Sequence, residues 1–332
     1  MHAARHVAAL LLILLAWTVP ATAAPYKADP GPFAVESVLG TWHDAARERD
    51  VPYKLYLPAG APGARAVVVF SHGLGGSREA AGYLGQHLAS WGYVAVHIQH
   101  PGSDESVWAG LVGREAVIAA LKEAVKDVRV SLDRFRDVPF VVDQLELMTA
   151  PGGALAGRLD LTRLGMSGHS FGAVSTMIAA GQKIGRGGRY QFKEPRFKAA
   201  IAFPPNKPMG RVSLEEAYTD MTLPMLHFTG TEDMNPLDPD QPASDRQIPF
   251  RTIPAPGQYL IVIQGGDHAV FGGRERRDGA RPDDARDHRL IQEASIAFWD
   301  AYLSGDAAAL AWLRGEGART ELGDEATIEM RN

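Results

Sequence analysis

The stretch RLGMSGHSFGAVSTMIAAG, residues 163–181, decides the fold. Arg163 to Met166 reads as a short strand, Gly168-His169-Ser170-Phe171-Gly172 matches G-x-S-x-G, and Phe171 to about Gly181 continues as a helix. A serine on a sharp strand-to-helix turn projects its hydroxyl above a sheet. The strained backbone there needs glycines on either side because a Cβ would clash. Ser170 is therefore the candidate nucleophile. The helix starting at Phe171 aims its unpaired amides and positive dipole end at any oxyanion formed beside it.

A serine hydroxyl is a weak nucleophile until a base takes its proton, so a carboxylate and a histidine should follow in the order Ser, Asp/Glu, His. A strand from Pro224 to Thr229 runs into Gly230-Thr231-Glu232-Asp233, and the next, from Tyr259 to Gln264, runs into Gly265-Gly266-Asp267-His268. Both motifs fall at carboxyl ends of strands, where loops of an open α/β sheet converge on ligands. Asp233 is preferred over Glu232 by its place in the turn, and Asp267 is a poor orienter of His268 because adjacent side chains diverge. The oxyanion site needs two backbone amides. Phe171, after the nucleophile, supplies one, and Leu74, in the turn His72-Gly73-Leu74 after the first buried strand, supplies the other. The side chains of Leu74 and Phe171 then shape the pocket.

Working outward, short β-branched runs alternate with helical patterns, which predicts an α/β fold with a mostly parallel central sheet flanked by helices. Ser37 to His43 and Pro52 to Leu57 read as a starting hairpin. Ala66-Val67-Val68-Val69-Phe70 is apolar throughout, as expected of a strand buried on both faces. A helix to about Ser90 and a strand at Tyr93 to Ile98 follow. Residues 104–150 break the rhythm with two helical stretches, Glu115 to Arg136 and Pro139 to Met148, and read in part as an insertion over the sheet. Gln182 to Lys198 reads as a surface loop, Ala199 to Phe203 as a strand, and the helix His288 to Leu303 closes the core.

Residues 1–24 read as a signal peptide. A short basic start (His2, Arg5, His6) leads to the apolar run Val7 to Val19, Pro20 and the small residues Ala21-Thr22-Ala23-Ala24, with cleavage after Ala23 or Ala24. The run is shorter than the roughly 20 residues a spanning helix needs, so the expectation is export, periplasmic or secreted, without stable membrane insertion after processing. The chain of 332 residues has no cysteine, which excludes disulfides, thiolate metal sites, lipobox anchoring and thiol nucleophiles. A net charge of −5 gives no basic field for nucleic acid. His72, His97 and His100 lack an acidic ligand at a recognised spacing, so no metal is expected. Asp238-Pro239-Asp240 with Asp245 lacks the spacing of a calcium loop and reads as a solvated turn, as does Arg274-Glu275-Arg276-Arg277. Trp108 and Leu111 could line an acyl pocket or a lid, or simply pack.

The stretch VVVFSHGLGGSREAAGYLGQHLASWGYVAVHIQHPGSD, with GHSFG, resembles the α/β-hydrolase superfamily. Within it the chain is similar to bacterial dienelactone-hydrolase-like esterases and plasma-type platelet-activating-factor acetylhydrolases, from about residue 50 to 303. The resemblance implies calcium-independent hydrolysis of carboxylic esters by a serine triad with no cofactor, and the same roles for Ser170, Phe171 and Leu74. Two departures bear on the substrate. Dienelactone hydrolases use a cysteine nucleophile, absent here. The plasma-type enzymes place their acid after the strand following the nucleophile helix, where this chain has Phe203-Pro204-Pro205-Asn206, so the acid falls one strand later, at Asp233. The expectation is one α/β-hydrolase domain over residues 25–332, an exported serine esterase for short-chain or lipid-like esters. Alternatives are a polyester or peptide hydrolase with the same triad, or a non-catalytic ligand-binding member of the fold.

Overall fold

The computed structural model describes residues 26–208, 210–238, 240–273 and 279–331. Residues 1–24, expected to be a signal peptide, and the Arg274–Arg277 run lie outside them. The chain opens with an antiparallel hairpin, β1 (Val35–Asp44) and β2 (Arg49–Pro58), followed by β3 (Arg65–Ser71), α1 (Gly82–Ser90) and β4 (Val94–Ile98). Then come α2 (Arg114–Lys126), α3 (Val128–Thr149), β5 (Leu159–His169), α4 (Phe171–Ala179) and β6 (Phe197–Phe203). The carboxyl-terminal half contains α5 (Leu214–Tyr218), β7 (Met225–Glu232), α6 (Ile248–Thr252), β8 (Gln258–Asp267), α7 (Asp284–Leu303), α8 (Ala307–Arg314), α9 (Glu316–Leu322) and β9 (Ala326–Arg331).

These strands form one sheet in the order β1-β2-β4-β3-β5-β6-β7-β8-β9. The run from β4 to β8 is parallel, and β1, β2 and β9 pair antiparallel at the two edges. This is an α/β-hydrolase fold. Alternation along β3 shows why its apolar run is uninterrupted. Ala66, Val68 and Phe70 enter the core that α1 and α7 cover, whereas Val67 and Val69 enter the core under α3. Burial on both faces removes any position where a polar residue could meet water.

Three details differ from the sequence reading. The helical stretches of 104–150 break at Asp127, ten residues earlier than the pattern suggests, because the Asp127 carboxylate accepts the Arg129 amide at 2.8 Å and caps α3. Pro139 lies inside α3. It removes one amide donor, and the burial of Val138, Val141, Val142 and Leu145 against the sheet offsets that cost. The region therefore divides in two: α3 is a core crossover helix, and α2, which has no fully buried residue, is the added element above the sheet. Finally, α7 does not close the core, since α8, α9 and the edge strand β9 follow. That strand was unreadable because an edge strand alternates exposure and carries no continuous apolar run.

Candidate active site

Register brings the site together at the carboxyl edge of the sheet. Ser71, the last residue of β3, lies opposite Gly168 of β5, so the His72-Gly73-Leu74 turn leaves the sheet beside the Ser170 elbow. Glu232 of β7 lies opposite Asp267 of β8, so Asp233 and His268 leave side by side. The β7 and β8 ends approach closely: a Cβ at Gly230 would lie 2.0 Å from the Gly266 carbonyl oxygen.

Ser170 has φ 57° and ψ −112°, a conformation rarely adopted by a residue with a side chain. Its amide donates to the Phe203 carbonyl at 2.6 Å, which helps to hold the strained turn. The Ser170 hydroxyl lies 2.9 Å from His268 Nε2, and His268 Nδ1 lies 2.7 Å from Asp233 Oδ1. Since a carboxylate only accepts, Nδ1 carries the imidazole proton and Nε2 is left to accept from Ser170. Asp233 is fully buried, and its Oδ2 accepts from Thr229 Oγ1 at 2.8 Å. Arg246 Nε stands 3.8 Å from Asp233 Oδ1, and the same guanidinium donates to Asn206 Oδ1.

The neighbouring carboxylates point elsewhere. Glu232 is exposed and meets Arg281 at 3.2 Å, and Asp267 accepts the Ala269 and Val270 amides at 3.1 Å each. His169 Nε2 donates to the His268 carbonyl at 2.9 Å, bracing the loop that carries the imidazole. Among the described residues, the amides of Leu74 and Phe171 have no acceptor. Both residues, with Ser170 and His268, line one cavity of about 440 Å³. Its apolar wall includes Leu121 and Val125 of α2 and Val174 of α4, and Asn206 and Arg246 are among its polar groups. Trp108 and Leu111 are not on this wall. Trp108 Nε1 instead donates to the Gly75 carbonyl at 2.8 Å.

His72, His97 and His100 are each engaged within the protein, His72 through its own turn and the His100 amide. His97 is buried and held neutral, its pKa pushed down to about 3 by desolvation. His100 is pushed down to about 4 by burial and by the Arg134 charge, while donating from Nδ1 to Asp137 Oδ2 at 2.9 Å. Burial alone would raise Asp137, but hydrogen bonds from His100 and Arg49 outweigh it and hold the carboxyl down at about 2. Among the described residues no cluster of His, Asp and Glu could hold a metal ion.

Residues 50–138 match the family model described as platelet-activating factor acetylhydrolase, isoform II. The chain resembles that family. The matched segment runs from β2 through the His72-Gly73-Leu74 turn into the first half of α3, and Ser170, Asp233 and His268 lie beyond it. The match supports an esterase-type hydrolase, in keeping with the α/β-hydrolase fold. No curated protein matches the sequence.

Several residues of this candidate site were not read from sequence. Thr229 sits four residues before Asp233 in a strand whose burial hides its hydroxyl partner. Arg246 lies in a polar stretch of sequence that forms a short 3-10 helix, Ala243–Gln247. Leu121 and Val125 belong to a helix read as an insertion, and their helical spacing is compatible with many faces.

Proposed function

We propose that the protein is an exported serine carboxylic-ester hydrolase that acts through Ser170, His268 and Asp233 on short-chain or lipid-like esters. The observation that carries this reading is the relay of 2.9 and 2.7 Å from Ser170 through His268 to Asp233, opening on a cavity with two unengaged amides. His268 Nε2 accepts the Ser170 proton as the oxygen attacks the ester carbonyl, and Asp233 stabilises the imidazolium that forms. Negative charge on the carbonyl oxygen is met by the amides of Leu74 and Phe171, which need not reorganise. The imidazolium protonates the leaving alcohol, and water then repeats the sequence on the acyl-enzyme.

The apolar wall of Leu74, Leu121, Val125 and Val174 suits an acyl chain, and the name of the matched family points to acetyl esters. The reading requires no cofactor. Among the described residues no helix is long and apolar enough to cross a membrane.

Ser170→Ala is expected to lower turnover of p-nitrophenyl acetate by at least about 10³-fold and to abolish labelling by a fluorophosphonate probe, with the fold unchanged. Near-wild-type turnover in that variant would refute the proposal. Asp233→Asn should be far more damaging than Glu232→Gln, and the opposite order would reassign the acid.

A further inference from the structure

Arg134 is the feature the proposed chemistry leaves unused. It projects from α3, is fully buried, and makes no ion pair within contact distance of a carboxylate among the described residues. Its donors all reach neutral acceptors. Nε meets Ser175 Oγ at 2.9 Å, Nη1 meets Ser103 Oγ at 3.0 Å, and Nη2 meets Ser71 Oγ at 2.9 Å and the His72 carbonyl. The guanidinium also lies over the Phe171 ring, 4.7 Å from its centroid. Asp137, one turn along, is already paired with the charges of Arg47 and Arg49 and accepts from the neutral His100.

A buried charge without a contacting counter-charge costs several kcal/mol, so its location needs a reason. The contacts supply one. Ser71 and His72 lead into the turn that ends at Leu74, and Phe171 and Ser175 lie one turn apart at the start of α4. One rigid planar group therefore joins the two walls that present the two amides. The turn is braced from within as well. The His100 amide donates to His72 Nε2 at 3.0 Å, which leaves the ring proton on Nδ1, and Nδ1 donates at 2.6 Å to the Gly73 carbonyl. That carbonyl belongs to the same peptide unit as the Leu74 N–H, so the bond fixes the direction of the amide.

We propose that Arg134 is a positioning residue for the oxyanion site, clamping the His72-Gly73-Leu74 turn to the start of α4 and holding a positive charge behind both amides. With no carboxylate in contact and Asp137 and Asp104 acting only at longer range, its charge is balanced most fully when the substrate oxygen carries negative charge, which favours the transition state over the bound ester. The inference rests on the esterase reading above and deepens it.

The test compares an oxoester with its thionoester, because amide donors stabilise a developing O⁻ far better than a developing S⁻. In Arg134→Met, kcat for p-nitrophenyl acetate is expected to fall by about 10²-fold with KM within about three-fold. The thionoester rate should fall less than about ten-fold, and thermal unfolding should show a folded protein. Arg134→Lys keeps the charge and loses the fork, and should recover about ten-fold over Arg134→Met while remaining below wild type. A folded Arg134→Met within about three-fold of wild-type kcat, or equal losses on the two substrates, would overturn the proposal. Should Arg134→Met not fold, Arg134→Lys decides alone. A reduced ratio of oxoester to thionoester rates supports the clamp, and a wild-type ratio overturns it. Absence of ester hydrolysis in the wild type, or its survival in Ser170→Ala, would overturn the esterase reading instead.

Discussion

Gly172→Ala tests how closely the elbow is packed. A Cβ at Gly172 would lie 1.8 Å from the Ser71 carbonyl oxygen, 2.6 Å from the Ser71 carbonyl carbon and 2.9 Å from the His72 oxygen. Ordinary contact begins at 3.4 Å, and every one of these neighbours is backbone at the end of a buried strand. The φ of Gly172 lies outside the left-handed region, so crowding is the whole effect. To admit one methyl group, α4 and β3 must part by about 1.5 Å in an interior packed like a crystal. The expected destabilisation is about 3 kcal/mol, the upper end for overpacking. At about 2–4 °C per kcal/mol, the melting temperature should fall by about 6–12 °C. The same displacement separates the Phe171 amide from Leu74, and misplacement on the order of 1 Å costs about 10²-fold in turnover. Differential scanning calorimetry and p-nitrophenyl acetate kinetics on the purified variant read both effects. A melting temperature within about 2 °C of wild type together with kcat within about three-fold would refute the packing argument.

Further expectations follow from other contacts. Thr229→Val leaves a lone pair of the buried Asp233 carboxylate unmet, at a cost of about 1.5–3 kcal/mol for a hydrogen bond to a charged group, and kcat should drop about 10-fold or more with KM little changed. Leu145→Ala, in the second half of α3, should destabilise by about 2–5 kcal/mol in urea unfolding, since Leu145 is fully buried. A cost below about 1 kcal/mol would show that α3 is a cover rather than core. Glu293 on α7 is buried, and desolvation outweighs its bond from Arg289, pushing its carboxyl up to about 7. A raised acid pKa contributes stability below the ordinary value of 4.5, and this is lost as pH climbs through 7. Glu293→Gln should therefore gain on the order of 2 kcal/mol at pH 8 and little at pH 4, as measured by urea unfolding at the two pH values. An equal gain at both would exclude ionisation as the cause.

Much of the α/β-hydrolase fold was legible because its signals are local. The run Ala66 to Phe70 is apolar because both faces are covered, and G-x-S-x-G marks a turn whose crowding only glycine accommodates. The break before α3 was misplaced because Pro139 is a strong local signal that burial of the helix overrides. The strand β9 was missed because an edge strand paired on one side carries a weak pattern. At the candidate site, residues announced by motif position came into view from the sequence, whereas Arg246 and Arg134 act through partners far along the chain, and Thr229 meets Asp233, four residues on, inside a buried strand that hides the contact.

What the sequence determined by itself is the chemistry available: no thiol, one serine in an elbow, and a carboxylate and a histidine in order at strand ends. Covalent spacing along a strand and the steric demands of glycine are enough to specify these. Only the tertiary structure decided which groups meet. The registers Ser71 to Gly168 and Glu232 to Asp267 are set by packing of the whole sheet, and they bring Asp233 to His268 and the Leu74 turn to Phe171. The same packing places a guanidinium from α3, 36 residues before the serine, behind both amides. Burial and partner geometry depend on contacts distant in sequence, and no local pattern encodes them.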